Sequence, residues 1–133
     1  MNYKELLAAA RIARENAYAP YSRFKVGAAL LARDGRVFLG CNVENASFGA
    51  TLCAERSALA AAVTSGVRDF SAIAIVGGKE NEKTGACTPC GICRQVLAEL
   101  CAPDFTVILE DADGDERVMT LSELLPHSFN LSK

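Results

Sequence analysis

The sequence predicts an α/β fold in which an apolar sheet is covered by helices on both faces. Three observations carry this reading. Segments with helical periodicity alternate with short apolar runs in the order α-ββ-α-β-α-β-β. One run, SAIAIVGG, is continuously apolar, as strands buried on both faces are. The chain has 133 residues, half of them hydrophobic, which suits one domain spanning residues 1–133 with a sizeable core.

Residues 3–15 form an amphipathic helix in this reading. Leu6, Leu7, Ala10, Ile12 and Ala13 share its apolar face, while Lys4, Glu5, Arg11 and Arg14 reach water. AYAPYSRF is a loop broken by Pro20. FKVGAALLA and RVFLGCNVEN are strands, and Asp34-Gly35 between them marks a hairpin. TLCAERSALAAAVTSG is the clearest helix, with Thr51 as its expected N-cap and Gly66 as its stop. After the strand SAIAIVGG comes the polar loop GKENEKTGA. PCGICRQVLAELC is then a helix with Pro89 in its first turn. FTVILED and ERVMTL are strands separated by the turn DADGD. LSELLPHSFNLSK holds one helical turn before Pro126. No repeat, linker or low-complexity segment interrupts this order.

Composition excludes several classes of function. A net charge of -2 offers no basic excess for nucleic acid or an anionic membrane surface. No apolar run approaches the roughly 20 residues that span a bilayer. The start, MNYKELLAAARIAREN, lacks the apolar stretch of a signal peptide. The expectation is a cytoplasmic protein with reduced thiols, so six cysteines point to metal or redox work rather than to disulfides.

On this map Cys53 opens one helix, and Cys90 and Cys93 open another, three residues apart on one face. A helix N-terminus favours a thiolate through its exposed N–H groups and dipole. If the two helix starts lie side by side, three thiolates converge. Three ligands with one open position describe a catalytic zinc site, whose fourth position holds an activated water. Taken alone, Cys90 and Cys93 fit a redox pair as well as a zinc site. The third cysteine favours metal. Cys87 stays open as a fourth ligand, although a structural or incidental loop thiol suits its position better. Cys41 and Cys101 are core thiols in this reading, and His127 is a surface or interface residue. Arg56 and Arg94 are placed to donate to ligand sulfurs and offset thiolate charge. Glu55 is placed to take a proton from the water and pass it to a substrate nitrogen. Asn42 and Glu44 are ordinary loop residues by composition, or a polar clamp for hydroxyls.

Cys53-Ala54-Glu55 followed by the P-C-x-x-C of residues 89–93 resembles the zinc-dependent nucleoside and nucleobase deaminases. The longer stretches RFKVGAAL, GCNVENASFG, CAERSAL, PCGICRQVLAEL and LLPHSF are similar to the small, homotetrameric class of cytidine deaminases. They run from about Tyr18 to Phe129. The resemblance implies a three-layer α/β/α sandwich around a mixed five-stranded sheet. It implies one zinc per chain on Cys53, Cys90 and Cys93, with Glu55 as the proton shuttle between water and ring N3. It implies Asn42 and Glu44 at the sugar 3′-hydroxyl, Phe24 beside the nucleoside, and backbone groups of Ala54 and Cys90 at the base. Arg56 then offsets thiolate charge and Gln95 supports the site. Phe129 reaches a neighbouring subunit's pocket, which makes each site of the homotetramer composite. The implied reaction is hydrolysis of cytidine and 2′-deoxycytidine to the uridines and ammonia, in pyrimidine salvage. Phe48 departs from the class, where tyrosine is common, and removes a hydroxyl from a subunit interface. Two other readings compete: deamination of another cytosine compound such as blasticidin S, and a binding module stapled by a closed four-ligand zinc. Editing of RNA or DNA cytosine is disfavoured by the acidic balance.

Overall fold

A computed structural model describes residues 1–131 of the chain. Helix α1 (Tyr3–Arg14) is followed by strands β1 (Phe24–Ala32) and β2 (Val37–Cys41), then by helix α2 (Ala54–Thr64) and strand β3 (Phe70–Lys79). Helix α3 (Gly91–Leu100), strands β4 (Thr106–Glu110) and β5 (Glu116–Thr120) and the short helix α4 (Leu121–Leu124) follow, and a short 3-10 turn spans Phe48–Ala50 between β2 and α2. The strands form one sheet in the order β2-β1-β3-β4-β5. It is mixed: β3 and β4 run parallel, and the other neighbours are antiparallel.

Alternation along the strands sorts the core into two layers. Ala29, Ala72, Ala74, Val76 and Ile108 face α1 and pack on Leu6, Leu7 and Ala10. Ala28, Leu30, Ile73, Ile75, Val107 and Leu109 face the other way, onto Ala54, Ala58 and Ala62 of α2 and Leu97 of α3. This is the three-layer α/β/α sandwich expected. Ile12 departs from the expected apolar face of α1 and is 66% exposed.

The helix starts differ from the sequence reading by one cap each. Cys53, not Thr51, is the N-cap of α2, and Cys90 is the N-cap of α3. Both have extended backbones, and their carbonyls accept the first helical bonds, from Ser57 N and Arg94 N. Pro89 therefore precedes α3 instead of lying in its first turn, and it is fully buried. The strand read as RVFLGCNVEN ends at Cys41. The turns hold: Gly35, Gly66 and Gly114 all take positive φ where the chain reverses or a helix stops.

Two backbone approaches fix where α1 and α2 sit. A Cβ on Gly27 of β1 would lie 2.0 Å from the Ala10 carbonyl oxygen, and one on Gly40 of β2 would lie 2.4 Å from the Ala54 carbonyl oxygen. The second contact presses the first turn of α2 directly onto β2. Gly40→Ala forces that turn outward and should cost about 1–3 kcal/mol, the usual range for overpacking. Urea unfolding with an unchanged slope measures it; a midpoint equal to the parent's would show that the contact carries no weight.

Candidate metal centre and active site

The parallel pair β3–β4 needs a crossover, and α3 supplies it. The N-terminus of α3 meets that of α2 at one end of the sheet. The Sγ atoms of Cys53, Cys90 and Cys93 all lie within 4.8 Å of one another, and Cys53 and Cys90 are 3.8 Å apart. Neither N-cap sulfur makes a capping hydrogen bond to the backbone of its own helix. Both are thus free to face a common point while the helix dipoles add partial positive charge there. Cys87 is not part of this group.

The thiols divide their protons unequally. Cys53 is depressed to about 5 because the Cys93 thiol donates to its thiolate, with further help from Arg56 and Cys90. Cys93 is correspondingly pushed up, first by donating to Cys53 and then by burial. Arg56 Nη2 stands 3.5 Å from Cys53 Sγ and also donates to the Thr51 carbonyl at 3.3 Å. Its Nε is buried with no hydrogen-bond partner.

This donor set fits zinc. Three convergent sulfurs, one already a thiolate near neutral pH, and an adjacent guanidinium make a soft anionic site with its own counter-charge. The three protein ligands it offers are those of an open site, not of a closed four-ligand staple.

Glu55, two residues beyond the Cys53 cap, is 5% exposed. Burial raises the pKa of its carboxyl, and the Cys53 thiolate adds to the rise. A carboxylate held in this way is a stronger base than one in water. Glu55 lines a cavity of about 200 Å³ together with Val26, Asn42, Thr51, Leu52, Cys53, Ala54, Cys87, Thr88 and Cys90. A wider groove of about 380 Å³ beside Asn2, Tyr3, Lys4 and Glu116 contains neither thiol nor buried carboxylate.

A paired bridge between Val43 and Leu52, with both N–H···O bonds at 2.9 Å, sets residues 42–44 alongside the Cys53 cap. Asn42 is buried, and its side chain is held by β1: Oδ1 accepts from Val26 N at 2.8 Å and Nδ2 donates to the Phe24 carbonyl at 2.9 Å. Glu44 accepts from Tyr21 N, Ser22 N and the Ser22 hydroxyl, which lowers its pKa. Its carboxylate thereby ties the Tyr21–Ser22 turn to residue 44.

The structure thus brings Cys53, Ala54, Glu55, Cys90, Cys93 and Asn42 together. Phe24, Glu44 and Phe129 do not line the cavity, and Phe129 is 66% exposed. Gln95 Nε2 donates to the Phe129 carbonyl at 3.4 Å, so it holds the tail and not a sulfur. Arg94 likewise departs from expectation: it donates to the carbonyls of Pro89 and Leu124 and leaves the sulfurs to Arg56. Cys87, read as an incidental thiol, forms part of the cavity wall. Burial pushes its pKa up to about 11, so it remains a neutral thiol there. In the sequence its nearness to Pro89 and Cys90, and the family resemblance that sets the 77–87 loop near the site's entrance, are the signals of this.

The fold and the cluster define a class: an α/β enzyme with a three-cysteine metal-binding cluster and a buried carboxylate beside it. Residues 1–109 match the family described as the cytidine and deoxycytidylate deaminase zinc-binding region, and the chain belongs to this family. It is 48% identical over 130 residues to a cytidine deaminase of Sporosarcina psychrophila, covering 98% of this chain and 93% of that one. It is 52% identical over 129 residues to a cytidine deaminase of Halalkalibacterium halodurans, covering 97% and 95%. A crystal structure of cytidine deaminase from Burkholderia pseudomallei superposes with a TM-score of 0.89 at 53% identity, covering 97% of this chain and 100% of that one.

The depressed Cys53 gives a direct test. Its thiolate is favoured in the folded protein, so it persists above about pH 5 and is lost as the pH falls through that value. The ultraviolet thiolate absorbance of metal-free protein should therefore show a first step near pH 5, and Arg56→Gln should move it upward. A first step in the ordinary thiol range would contradict the charge distribution described.

Proposed function

We propose that this chain deaminates cytidine and 2′-deoxycytidine hydrolytically, releasing uridine or 2′-deoxyuridine and ammonia, and that it serves pyrimidine salvage in the cytoplasm. One observation carries the reading: a buried carboxylate, Glu55, stands two residues from the thiolate cap of a three-sulfur cluster. Family membership and the names of the relatives support the substrate.

Cys53, Cys90 and Cys93 would hold one zinc. The chemistry that zinc supplies, when bound there, is Lewis-acid activation of a water. Glu55 does the proton work. It accepts the proton of the attacking water and delivers it to ring N3 as C4 is attacked, then takes the proton of the new C4 hydroxyl and passes it to the departing amino group, which leaves as ammonia. Its burial suits both halves of this cycle, because desolvation raises its affinity for the proton in transit. Arg56 opposes the negative charge that three sulfurs concentrate at the site, by donating to Cys53. The backbone at Ala54 and Cys90 borders the cavity and is placed to orient the base.

Asn42 and Glu44 would meet the sugar. Each amide atom of Asn42 retains one hydrogen-bonding position after its bond to β1, and Glu44 retains a lone pair beyond its three donors. Phe24 would flank the nucleoside. Phe129 lies outside its own chain's cavity and would enter that of a neighbouring copy, which makes the active unit a homotetramer with composite sites. Exposed Leu39, Val43 and Phe48 give that assembly an apolar surface.

Zinc-loaded protein should convert cytidine to uridine with stoichiometric ammonia, and Glu55→Gln should lose about 10³-fold in kcat with zinc retained. Near-parental turnover in Glu55→Gln would remove the carboxylate from the mechanism. A composite site makes a second prediction. Mixing Glu55→Gln chains with Phe129→Ala chains should yield more activity than the two proteins separately, because some mixed sites regain both side chains. Activity no greater than the sum would place each site within one chain.

A further inference from the structure

Glu55 and Glu110 are the two buried charged side chains among the described residues. Glu55 belongs to the chemistry; Glu110 stands apart from it, at the last position of β4 and 3% exposed. Its carboxylate accepts from Arg11 of α1, through Nε at 2.9 Å and through Nη2, and from the hydroxyl of Thr84. A buried carboxylate is tolerated only when paired and hydrogen-bonded. Here one of those partners is a loop residue.

That loop, residues 80–90, connects β3 to the cap of α3, and it wraps around the end of β3. A Cβ on Gly78 would lie 3.0 Å from Thr84 Cα, and one on Gly77 would lie 2.6 Å from Cys87 Sγ. Adjacent strand residues face opposite sides of a sheet, so Thr84 covers the α1 face and Cys87 the α3 face. Between them Gly85 N donates to the Gly77 carbonyl at 3.1 Å. The near arm of this hook is tied to Glu110. The far arm supplies Cys87 and Thr88 to the cavity wall and ends on buried Pro89 and the Cys90 cap.

We infer that Glu110, acting through Thr84, is a positioning residue for the active site: it fixes the hook and so sets the wall that the substrate meets. This rests on the cavity being the nucleoside pocket. Glu110 touches neither the sulfurs nor Glu55, so its influence falls on binding and not on the proton transfer.

Replacing Glu110 by alanine would strand Arg11 and endanger folding, so the tie is cut from the other end. In zinc-loaded protein, Thr84→Val keeps the shape and removes the hydroxyl. It should raise KM for cytidine about fivefold, the worth of one hydrogen bond, and leave kcat within about twofold. Thr84→Ser should restore the parental KM. Amide exchange at Gly85 should quicken about fivefold in Thr84→Val and not in Thr84→Ser. Equal KM in the valine and serine variants, or unchanged exchange at Gly85, overturns the inference. If the parent turns over no cytidine, the pocket assignment falls, and exchange at Gly85 still decides whether Glu110 holds the hook.

Discussion

The meeting of two helix N-termini over one group of sulfurs is the constraint on which the rest of the structure depends. Each helix begins on a cysteine whose carbonyl starts the helical ladder while its side chain turns away from the helix. Concentrated negative charge is costly in a partly buried place. It is tolerated here because two dipoles and the Arg56 guanidinium oppose it. The same charge helps to raise the proton affinity of Glu55. Metal affinity, counter-charge and base strength therefore come from a single local arrangement, and a change to one moves the others.

The sheet holds that arrangement in place through backbone packing more than through side chains. α2 rests on Gly40 with no room for a methyl group, and α1 rests on Gly27 in the same way. Ala54, Ala58 and Ala62 keep α2 low over the strands. At the other helix, Arg94 ties the Pro89 carbonyl to that of Leu124, and so joins the start of α3 to α4 across the C-terminal segment. Charge at the site is thus carried on rigid supports, as preorganised electrostatics requires.

Much of this was legible in the sequence, and the reasons differ by residue. The strands announced themselves by apolar runs, and the turns by Asp34-Gly35 and the DADGD stretch, because local backbone preference decides such features. The thiol group was legible because only a few spacings bring sulfurs to one helix end. Thr51 reads as the cap of α2 because threonine has the conventional capping hydroxyl and cysteine does not, yet the helix starts two residues later, on Cys53. Arg94 was misassigned because its partner, the Leu124 carbonyl, lies thirty residues away in a segment with no pattern of its own. Glu110 reads as a polar strand end, and its burial arises only when Arg11 and Thr84 arrive from distant parts of the chain.

Asn42 shows how the fold can set a residue's identity before any ligand is considered. The ladder between β1 and β2 ends at Cys41, yet the Val26 N–H and the Phe24 carbonyl beyond it are both satisfied, by one side-chain amide acting as a peptide group. Aspartate has no hydrogen to offer the carbonyl, and glutamine is one methylene too long to match both partners. An intact sheet edge by itself therefore calls for asparagine here. A contact with a sugar hydroxyl would be recruited by a side chain already immobilised, at little further loss of conformational freedom.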